Sequence, residues 1–128
     1  MGKLSIEETY QSPKIAIDTD KNIFEIIGNS FPNNAVRFYT PVVEWLDEYA
    51  KKPNPKTEFT FRISYQNSSS RKMFNEILKR LQQMHDKGND ISIKWYYEQG
   101  DEDIRQIIME FKQLFKLPIE CIAEESDD

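Results

Sequence analysis

The sequence predicts a single α/β domain built on a mixed β-sheet, with an N-terminal hairpin and about three to four helices. Two strand-like segments lie close together near the N-terminus, and strand-like and helix-like segments alternate after them along the 128 residues. The resulting order is β-β-α-β-α-β-α. Because strands separated by a helix usually pair in parallel through right-handed crossovers, the later strands are expected to be parallel neighbours.

The N-terminal third predicts the hairpin and the first helix. Apolar and polar residues alternate in two short runs that are joined by a turn sequence at residues 18–21. A weaker alternation around Leu4 and Ile6 favours an additional edge strand. Pro41 lies inside the helical repeat that follows, where it is expected to begin a new helical stretch or to kink the helix. The predicted segments are strands at residues 14–18 and 22–27, a turn cluster at 28–34 and a helix at 35–49.

The remaining segments alternate between strand and helix. A proline-rich break precedes a run in which every second residue is apolar, as in a half-buried strand. Apolar residues that step by three and four positions then predict a helix from Met73 or Phe74 towards Gly88. A last helix with acidic residues in its first turn is expected to end at Pro118. The predicted segments are a strand at 59–65, a helix from 73 or 74, a strand at 91–97, a helix from 101 and an edge strand at 119–122.

A run of three serines lies where a predicted strand meets the following helix. The segment from Ser64 to Lys72 carries hydroxyls at residues 68, 69 and 70, followed by two cations. A helix N-terminus has unpaired backbone N–H groups and roughly half an elementary positive charge from the macrodipole, so it favours a bound phosphate. The simpler interpretation is that Asn67, Ser68 or Ser69 only caps the helix. The local sequence leaves both hypotheses open, a helix cap and a phosphorylation switch.

Composition limits the class of protein. The 17 Lys and Arg against 22 Asp and Glu give a net charge of −5, which disfavours nucleic acid as a partner. Cys121 is the single cysteine, so no internal disulfide forms, as is typical of the reducing cytoplasm. No apolar run approaches the ~20 residues of a membrane span, so we expect a cytoplasmic protein without membrane insertion. We expect a domain at residues 1–123 and a frayed acidic tail at 124–128.

The sequence lacks the residue sets that most enzymes use. His85 is its single histidine and is expected at the surface or at the boundary of the core, and with one cysteine it gives no zinc-site spacing. The acidic residues at 98 and 101–103 suit a solvated helix N-terminus better than a Mg²⁺ site. No glycine-rich phosphate loop occurs. We therefore expect no catalytic residues, no metal and no cofactor, and hence no enzymatic activity.

Several short blocks rich in aromatic residues, asparagine and serine are spread along nearly the whole chain. They are residues 28–35 (GNSFPNNA), 38–42 (FYTPV), 45–49 (WLDEY), 65–72 (YQNSSSRK), 95–98 (WYYE) and 100–103 (GDED). In their order and spacing these blocks resemble the SiaC family of bacterial regulatory phosphoproteins. The order of strands and helices is also similar to that of STAS-like domains, in which a phosphorylatable serine lies where a central strand meets the next helix.

The resemblance to the SiaC family implies a non-enzymatic phosphoswitch. In the family an Asn is followed by a Thr that is reversibly phosphorylated, and that position falls on Ser68. Serine keeps the hydroxyl and loses the methyl group of threonine, so Ser68 is the expected acceptor, and Ser69 and Ser70 are the next candidates. The neighbours expected to contact the phosphate or a partner are Asn67, Arg71 and Lys72.

The same resemblance implies three partner proteins. A GHKL-type Ser/Thr kinase would phosphorylate Ser68, a PPM-type phosphatase would reverse this, and the unmodified form would bind and activate a diguanylate cyclase, which makes cyclic di-GMP. Any aromatic ring left exposed near Ser68 is a candidate partner contact. Two alternatives stay open. One is a STAS-type anti-sigma-factor antagonist with the same switch, and the other is a small-ligand-binding or catalytic domain, which needs a deep pocket lined by polar groups.

Overall fold

Six strands and three helices make up residues 2–125, the part of the chain that this computed structural model describes. In chain order they are β1 (Lys3–Ile6), β2 (Lys14–Asp18), β3 (Ile23–Ser30), α1 (Ala35–Tyr49), β4 (Lys56–Gln66), α2 (Ser68–Asp86), β5 (Asp90–Glu98), α3 (Glu102–Leu114) and β6 (Ile119–Glu124). None of these three helices is both long and apolar enough to cross a bilayer.

The strands form a six-stranded sheet in sequential order, β1-β2-β3-β4-β5-β6. β1, β2 and β3 pair antiparallel, whereas β4, β5 and β6 each run parallel to the strand before them. The three helices connect the parallel strands. Since such crossovers are right-handed, a sheet that grows in one direction carries all of them on the same face. The predicted mixed α/β sheet with an N-terminal hairpin is confirmed.

The core lies between the helices and one face of the sheet. In β4, Phe59, Phe61 and Ile63 are buried at alternate positions, as the sequence predicts. The Phe61 ring stacks on Trp95 of β5 with ring centroids 4.1 Å apart, and Phe74 of α2 packs edge-on against both rings. Large buried rings contribute strongly to stability. This cluster therefore fixes α2 against β4 and β5.

The opposite face of the sheet is polar. The guanidinium carbon of Arg62 in β4 lies 3.9 Å from the centre of the Tyr96 ring in β5, and its Nε donates to the Glu124 carboxylate at 3.0 Å. The carbonyl of Glu124 accepts from the amide of Gln99. Glu124, expected in the frayed tail, therefore belongs to β6. The end of that tail, from Ser126, lies outside the described residues.

Two helix boundaries differ from the prediction. α2 begins at Ser68 and not at residues 73–74, since Asn67 caps a first turn that is almost entirely polar. α3 ends at Leu114 and not at Pro118. The position before a proline disfavours helical backbone, so the chain leaves the helix before the proline is reached.

Three other elements, β3, α1 and β4, also differ from the prediction. β3 continues through the predicted turn to Ser30, with a bulge after Gly28. Gly28 has a φ of 129°, which favours glycine, and a Cβ there would meet the Glu8 carboxylate at 2.5 Å. Pro41 lies inside α1, which continues as one helix and does not start anew there. β4 starts earlier than predicted, at Lys56.

Candidate functional site

The first turn of α2 lies directly after the end of β4. Asn67 is its N-cap, because the Asn67 Oδ1 accepts from the amide of Ser70 at 2.9 Å and the Asn67 carbonyl accepts from the amide of Arg71 at 3.0 Å. The amides of Ser68 and Ser69 precede this first intrahelical bond, so the helix offers them no acceptor. Together with the macrodipole of a 19-residue helix, these donors favour a negative charge at this end.

The three serines differ in their exposure to solvent. Ser68 and Ser69 are exposed, whereas Ser70 has 0% of its surface accessible. The Ser70 hydroxyl accepts from the hydroxyl of Ser30 at 2.7 Å. A kinase reaches an exposed hydroxyl directly, but it reaches a buried one only after local opening of the fold. The geometry therefore favours Ser68 and Ser69 over Ser70 as phosphate acceptors.

A buried row of hydroxyls holds the start of α2 against β3 and α1. The Ser30 hydroxyl donates its single proton to Ser70, so it accepts from the Tyr39 hydroxyl, whose oxygen lies 2.6 Å away. The carbonyl of Ser30 accepts from the amide of Asn67 at 3.0 Å. Ser30 thus binds both the N-cap and the third residue of α2. We call Tyr39, Ser30 and Ser70 the hydroxyl row.

The hydroxyl row keeps its protons over the physiological pH range. Burial raises the pKa of the Tyr39 hydroxyl well above its usual value of 10.0, and the hydrogen bond with Ser30 offsets part of that rise. Because the Tyr39 hydroxyl stays protonated at physiological pH, its hydrogen bond to Ser30 is permanent, as a structural role requires. The hydroxyl row therefore positions the start of α2 through its hydrogen bonds and does not act as an acid or a base.

Arg71 and Lys72, the two cations predicted beside the serines, have different surroundings. The Arg71 guanidinium is bound to the Glu110 carboxylate of α3, whereas Lys72 is exposed. Ser68, Arg71 and Glu110 all line one open groove of about 530 Å³ between α2 and α3. The exposed side chain of Leu114 lines the same groove. A negative group on Ser68 would therefore share this groove with two carboxylates as well as with two cations.

Three aromatic rings from separate segments form a row at the same end of the sheet. We call Tyr10, Phe31 and Tyr65 the aromatic row; neighbouring ring centroids are 5.5 and 5.6 Å apart, both edge-to-face. Phe31 follows the last residue of β3 and Tyr65 lies near the end of β4, so both rings flank the start of α2. Tyr10 is 82% exposed and Tyr65 is 56% exposed. Exposed rings are favoured at the centres of protein interfaces, so the aromatic row is a candidate partner contact.

A second open groove, of about 540 Å³, lies at the carboxyl ends of β4 and β5. Its lining includes Arg62, Glu98 and Asp101, and the Asp101 carboxylate accepts from the amide of Ile104 as the N-cap of α3. Within residues 2–125, no group of three or more His, Cys, Asp or Glu side chains is arranged to hold a metal ion. Small-molecule sites typically bury most of the surface of their ligand, whereas this groove is open to solvent.

The cap residues of the sequence indicated a helix start at residues 67–69, although apolar periodicity placed it at 73–74, and the residues that hold this turn were missed. The contacts of Ser30 with Ser70 and Tyr39 were not predicted. The contact of Arg71 with Glu110, 39 positions away, was not predicted either. One signal was present. The alternation that begins at Phe24 places Ser30 on the buried face if β3 continues beyond the predicted turn.

Comparison with known proteins assigns the chain to a class. A sequence model of the SiaC family regulatory phosphoproteins matches residues 6–124. An uncharacterised protein of Pseudomonas aeruginosa strain UCBPP-PA14 is 26% identical over 125 residues, which are 98% of this chain and 99% of that protein. The fold and these matches place the chain in a family of regulatory phosphoproteins with a mixed α/β sheet. The chain belongs to the SiaC family.

Solved structures share the fold over nearly their full length. SiaC of Pseudomonas aeruginosa superimposes with a TM-score of 0.88 at 26% identity, covering 97% of this chain and 100% of that one. A crystal structure of the diguanylate cyclase SiaD in complex with its activator SiaC, from the same organism, matches with a TM-score of 0.89 at 26% identity, covering 94% and 99%. The resemblance that the sequence blocks indicated is confirmed.

Proposed function

We propose that this chain is a non-enzymatic phosphoswitch whose unmodified form binds and activates a diguanylate cyclase. The observation that carries this proposal is the complex of SiaD with its activator SiaC, because that SiaC is similar to this chain over nearly the full length of both. Diguanylate cyclases make cyclic di-GMP. The regulated output would therefore be the level of this second messenger.

Ser68 is the proposed phosphate acceptor. Its hydroxyl is exposed in the first turn of α2, and it follows Asn67, as the phosphorylated Thr follows an Asn in the SiaC family. Ser69 is also exposed and is the alternative acceptor. The buried Ser70 hydroxyl already accepts a hydrogen bond from Ser30, which makes it the weakest candidate of the three.

The start of α2 is suited to carry the modified residue. A phosphoserine adds about −1.5 to −2 charges and three strong acceptor oxygens. The amides of Ser68 and Ser69 and the positive end of the helix dipole stabilise such a group, and Arg71 and Lys72 lie within about one turn of it. The phosphorylated chain is therefore expected to stay folded.

Partner choice would follow from the charge on Ser68. An exposed hydroxyl flanked by the aromatic row is compatible with a closely packed contact, whereas a dianion at the same place has to be desolvated when a partner covers it. By the resemblance to the SiaC family, a GHKL-type kinase adds the phosphate and a PPM-type phosphatase removes it. The phosphorylated form would then release the cyclase and be the substrate of the phosphatase.

Site mapping tests the acceptor. The chain is incubated with ATP and the kinase of its native host, and phosphopeptides are identified by mass spectrometry for the wild type, Ser68→Ala and the matched control Ser69→Ala. We expect phosphate on residue 68, loss of phosphorylation in Ser68→Ala and retention of most of it in Ser69→Ala. Loss in Ser69→Ala with retention in Ser68→Ala would transfer the assignment to Ser69.

Partner capture tests the output. The unmodified chain, used as bait in a lysate of its native host, is expected to retain a diguanylate cyclase and to raise its production of cyclic di-GMP. Recovery of an anti-sigma kinase together with a sigma factor, and of no cyclase, would contradict the proposed output and favour the anti-sigma-factor antagonist.

A further inference from the structure

We propose that Glu110 of α3 responds to phosphorylation, because a phosphate on Ser68 withdraws Arg71 from Glu110 and so releases α3 from the first turn of α2. This inference rests on the proposed function, since it takes Ser68 as the acceptor. It adds a residue of a second helix, and a change of contact between the two helices, to the switch.

The ion pair between Arg71 and Glu110 is a contact between two helices at the modified end of α2. The Arg71 side chain is 43% exposed and that of Glu110 is 44% exposed, so neither group is locked into the core. Both line the groove that Ser68 also lines. A new charge on residue 68 therefore acts on both members of the pair.

The phosphate competes well for Arg71. Residues at positions i and i+3 of a helix have Cβ atoms about 5–6 Å apart, so the Arg71 guanidinium reaches a phosphate on Ser68 without a change in the helix. A guanidinium binds phosphate through two parallel hydrogen bonds, and the phosphate carries up to about twice the charge of a carboxylate. Like charges in one groove also repel, which moves Glu110 away from residue 68.

A second contact, between α2 and the segment that follows α3, does not depend on charge. The Gln82 Oε1 accepts from the amides of Lys116 and Leu117 at 2.7 and 3.0 Å. This contact lies towards the far end of α2 and stays in place when residue 68 is modified. The expected change is therefore local to the Arg71 end, with α3 still held at its C-terminal side.

The test measures whether Arg71 and Glu110 interact in each form. Phosphoserine is introduced at position 68 by genetic encoding, so no kinase is needed, and the coupling is obtained from urea unfolding of the parent, Arg71→Gln, Glu110→Gln and the double variant. In the unmodified chain we expect the pair to change the unfolding equilibrium constant by about 1.4- to 5-fold, the range of partly exposed ion pairs. In the phosphorylated chain we expect no coupling.

A matched pair on the same helix provides the control. Glu76 also lines the groove and is bound by Arg80, so the cycle of Glu76→Gln and Arg80→Gln should give the same coupling in both forms. In ³¹P NMR titrations, Arg71→Gln should raise the second pKa of the phosphate, and Lys79→Gln, at an exposed position further along α2, should not. Equal coupling of Arg71 and Glu110 in both forms, or none in either, would overturn the inference.

The coupling between Arg71 and Glu110 and the binding of a cyclase are measured separately, so each can fail without the other. If coupling disappears on phosphorylation but a diguanylate cyclase binds both forms equally, the rearrangement of Arg71 stands and the proposed output fails. If coupling persists while the cyclase discriminates between the forms, the proposed function stands and Glu110 has no part in it.

Discussion

Ser30 connects three segments through two of its polar groups. Its carbonyl accepts from the amide of Asn67, and its hydroxyl accepts from Tyr39 and donates to Ser70. Because Ser30, Tyr39 and Ser70 are fully buried, water does not replace a missing partner. The position of the exposed serines therefore depends on residues that no partner protein touches.

We expect Tyr39→Phe to destabilise the fold by about 1–3 kcal/mol, because the ring is retained while the buried Ser30 hydroxyl loses its donor. Urea unfolding measures the free energy difference. The matched control is Tyr65→Phe, which removes a hydroxyl from an exposed ring and should change stability by less than about 0.5 kcal/mol. Equal effects of the two substitutions would contradict the assigned role of the hydroxyl row.

Residues with local signals were predictable and residues with distant partners were not. Asn67 and Ser68 stand beside each other in a pattern that predicts a helix start, so the sequence located them. The contact of Ser30 with Ser70 spans 40 positions, and that of Arg71 with Glu110 spans 39. Such pairs are brought together by the sheet order, which the alternation of apolar residues alone does not reveal.

At the level of elements, the N-cap of α2 is expected to affect both stability and modification. Asn67→Ala removes the acceptor of the Ser70 amide and should cost about 0.5–2 kcal/mol of stability. It should also slow phosphorylation of Ser68, because the first turn frays. Thermal unfolding and an initial-rate kinase assay measure the two effects.

A second cap in the same chain provides the control. Asn34 caps α1 in the same way, since its Oδ1 accepts from the amide of Arg37 at 3.0 Å. Asn34→Ala should therefore cost a similar amount of stability without slowing phosphorylation of Ser68. If both variants slowed phosphorylation to the same extent, the effect would reflect global stability and not the geometry of the cap.

The centres of the helices and strands were predictable, whereas several of their ends were not. Apolar periodicity identified the body of α2, but its polar first turn carries no such period, and the start at Ser68 depends on the side chain of Asn67. β3 passes through Gly28 to Ser30 because the bulge places Gly28 against the loop that carries Glu8. Only the tertiary arrangement shows that the turn-like residues continue the strand.

For the whole molecule, the topology gathers the residues of the candidate site at one end of the sheet. β3 and β4 are parallel neighbours, so their carboxyl ends meet at the same edge of the sheet. Ser30 and the start of α2 lie at this edge, and the β1–β2 loop adds Tyr10 to it. The sequence predicted parallel strands but not which residues of separate loops would meet there.

We expect the aromatic row to contribute to partner binding. Tyr65→Ala and Tyr10→Ala should each weaken binding of the unmodified chain to the diguanylate cyclase by at least about tenfold, which corresponds to about 1.4 kcal/mol, while leaving stability nearly unchanged. Calorimetric titration measures the affinity. Leu114→Ala alters an exposed apolar residue in the groove between α2 and α3 and serves as the comparison. A loss for Leu114→Ala alone would move the contact to that groove.

The charge on residue 68 is expected to decide how tightly a partner binds the start of α2. A partner that covers the start of α2 has to desolvate whatever group residue 68 carries, and a buried, unpaired charge costs several kcal/mol. In the free chain the phosphate remains hydrated and lies near the cations Arg71 and Lys72, so this cost does not arise there. Phosphorylation should therefore stabilise the free form relative to the complex.

We expect phosphoserine at position 68 to weaken binding to the cyclase by about a hundredfold, which corresponds to ~2.7 kcal/mol, and to reduce cyclic di-GMP production in parallel.

Ser68→Asp adds one charge only and should show a smaller loss. Ser68→Thr, the residue of the family, should keep full affinity when unmodified and lose it on phosphorylation, which separates an effect of charge from an effect of side-chain size. Calorimetry of each form, with cyclase activity followed in the same samples, decides the matter. Equal affinity and equal activation by the phosphorylated and unmodified chains would refute the switch, even if Ser68 carried phosphate in the native host.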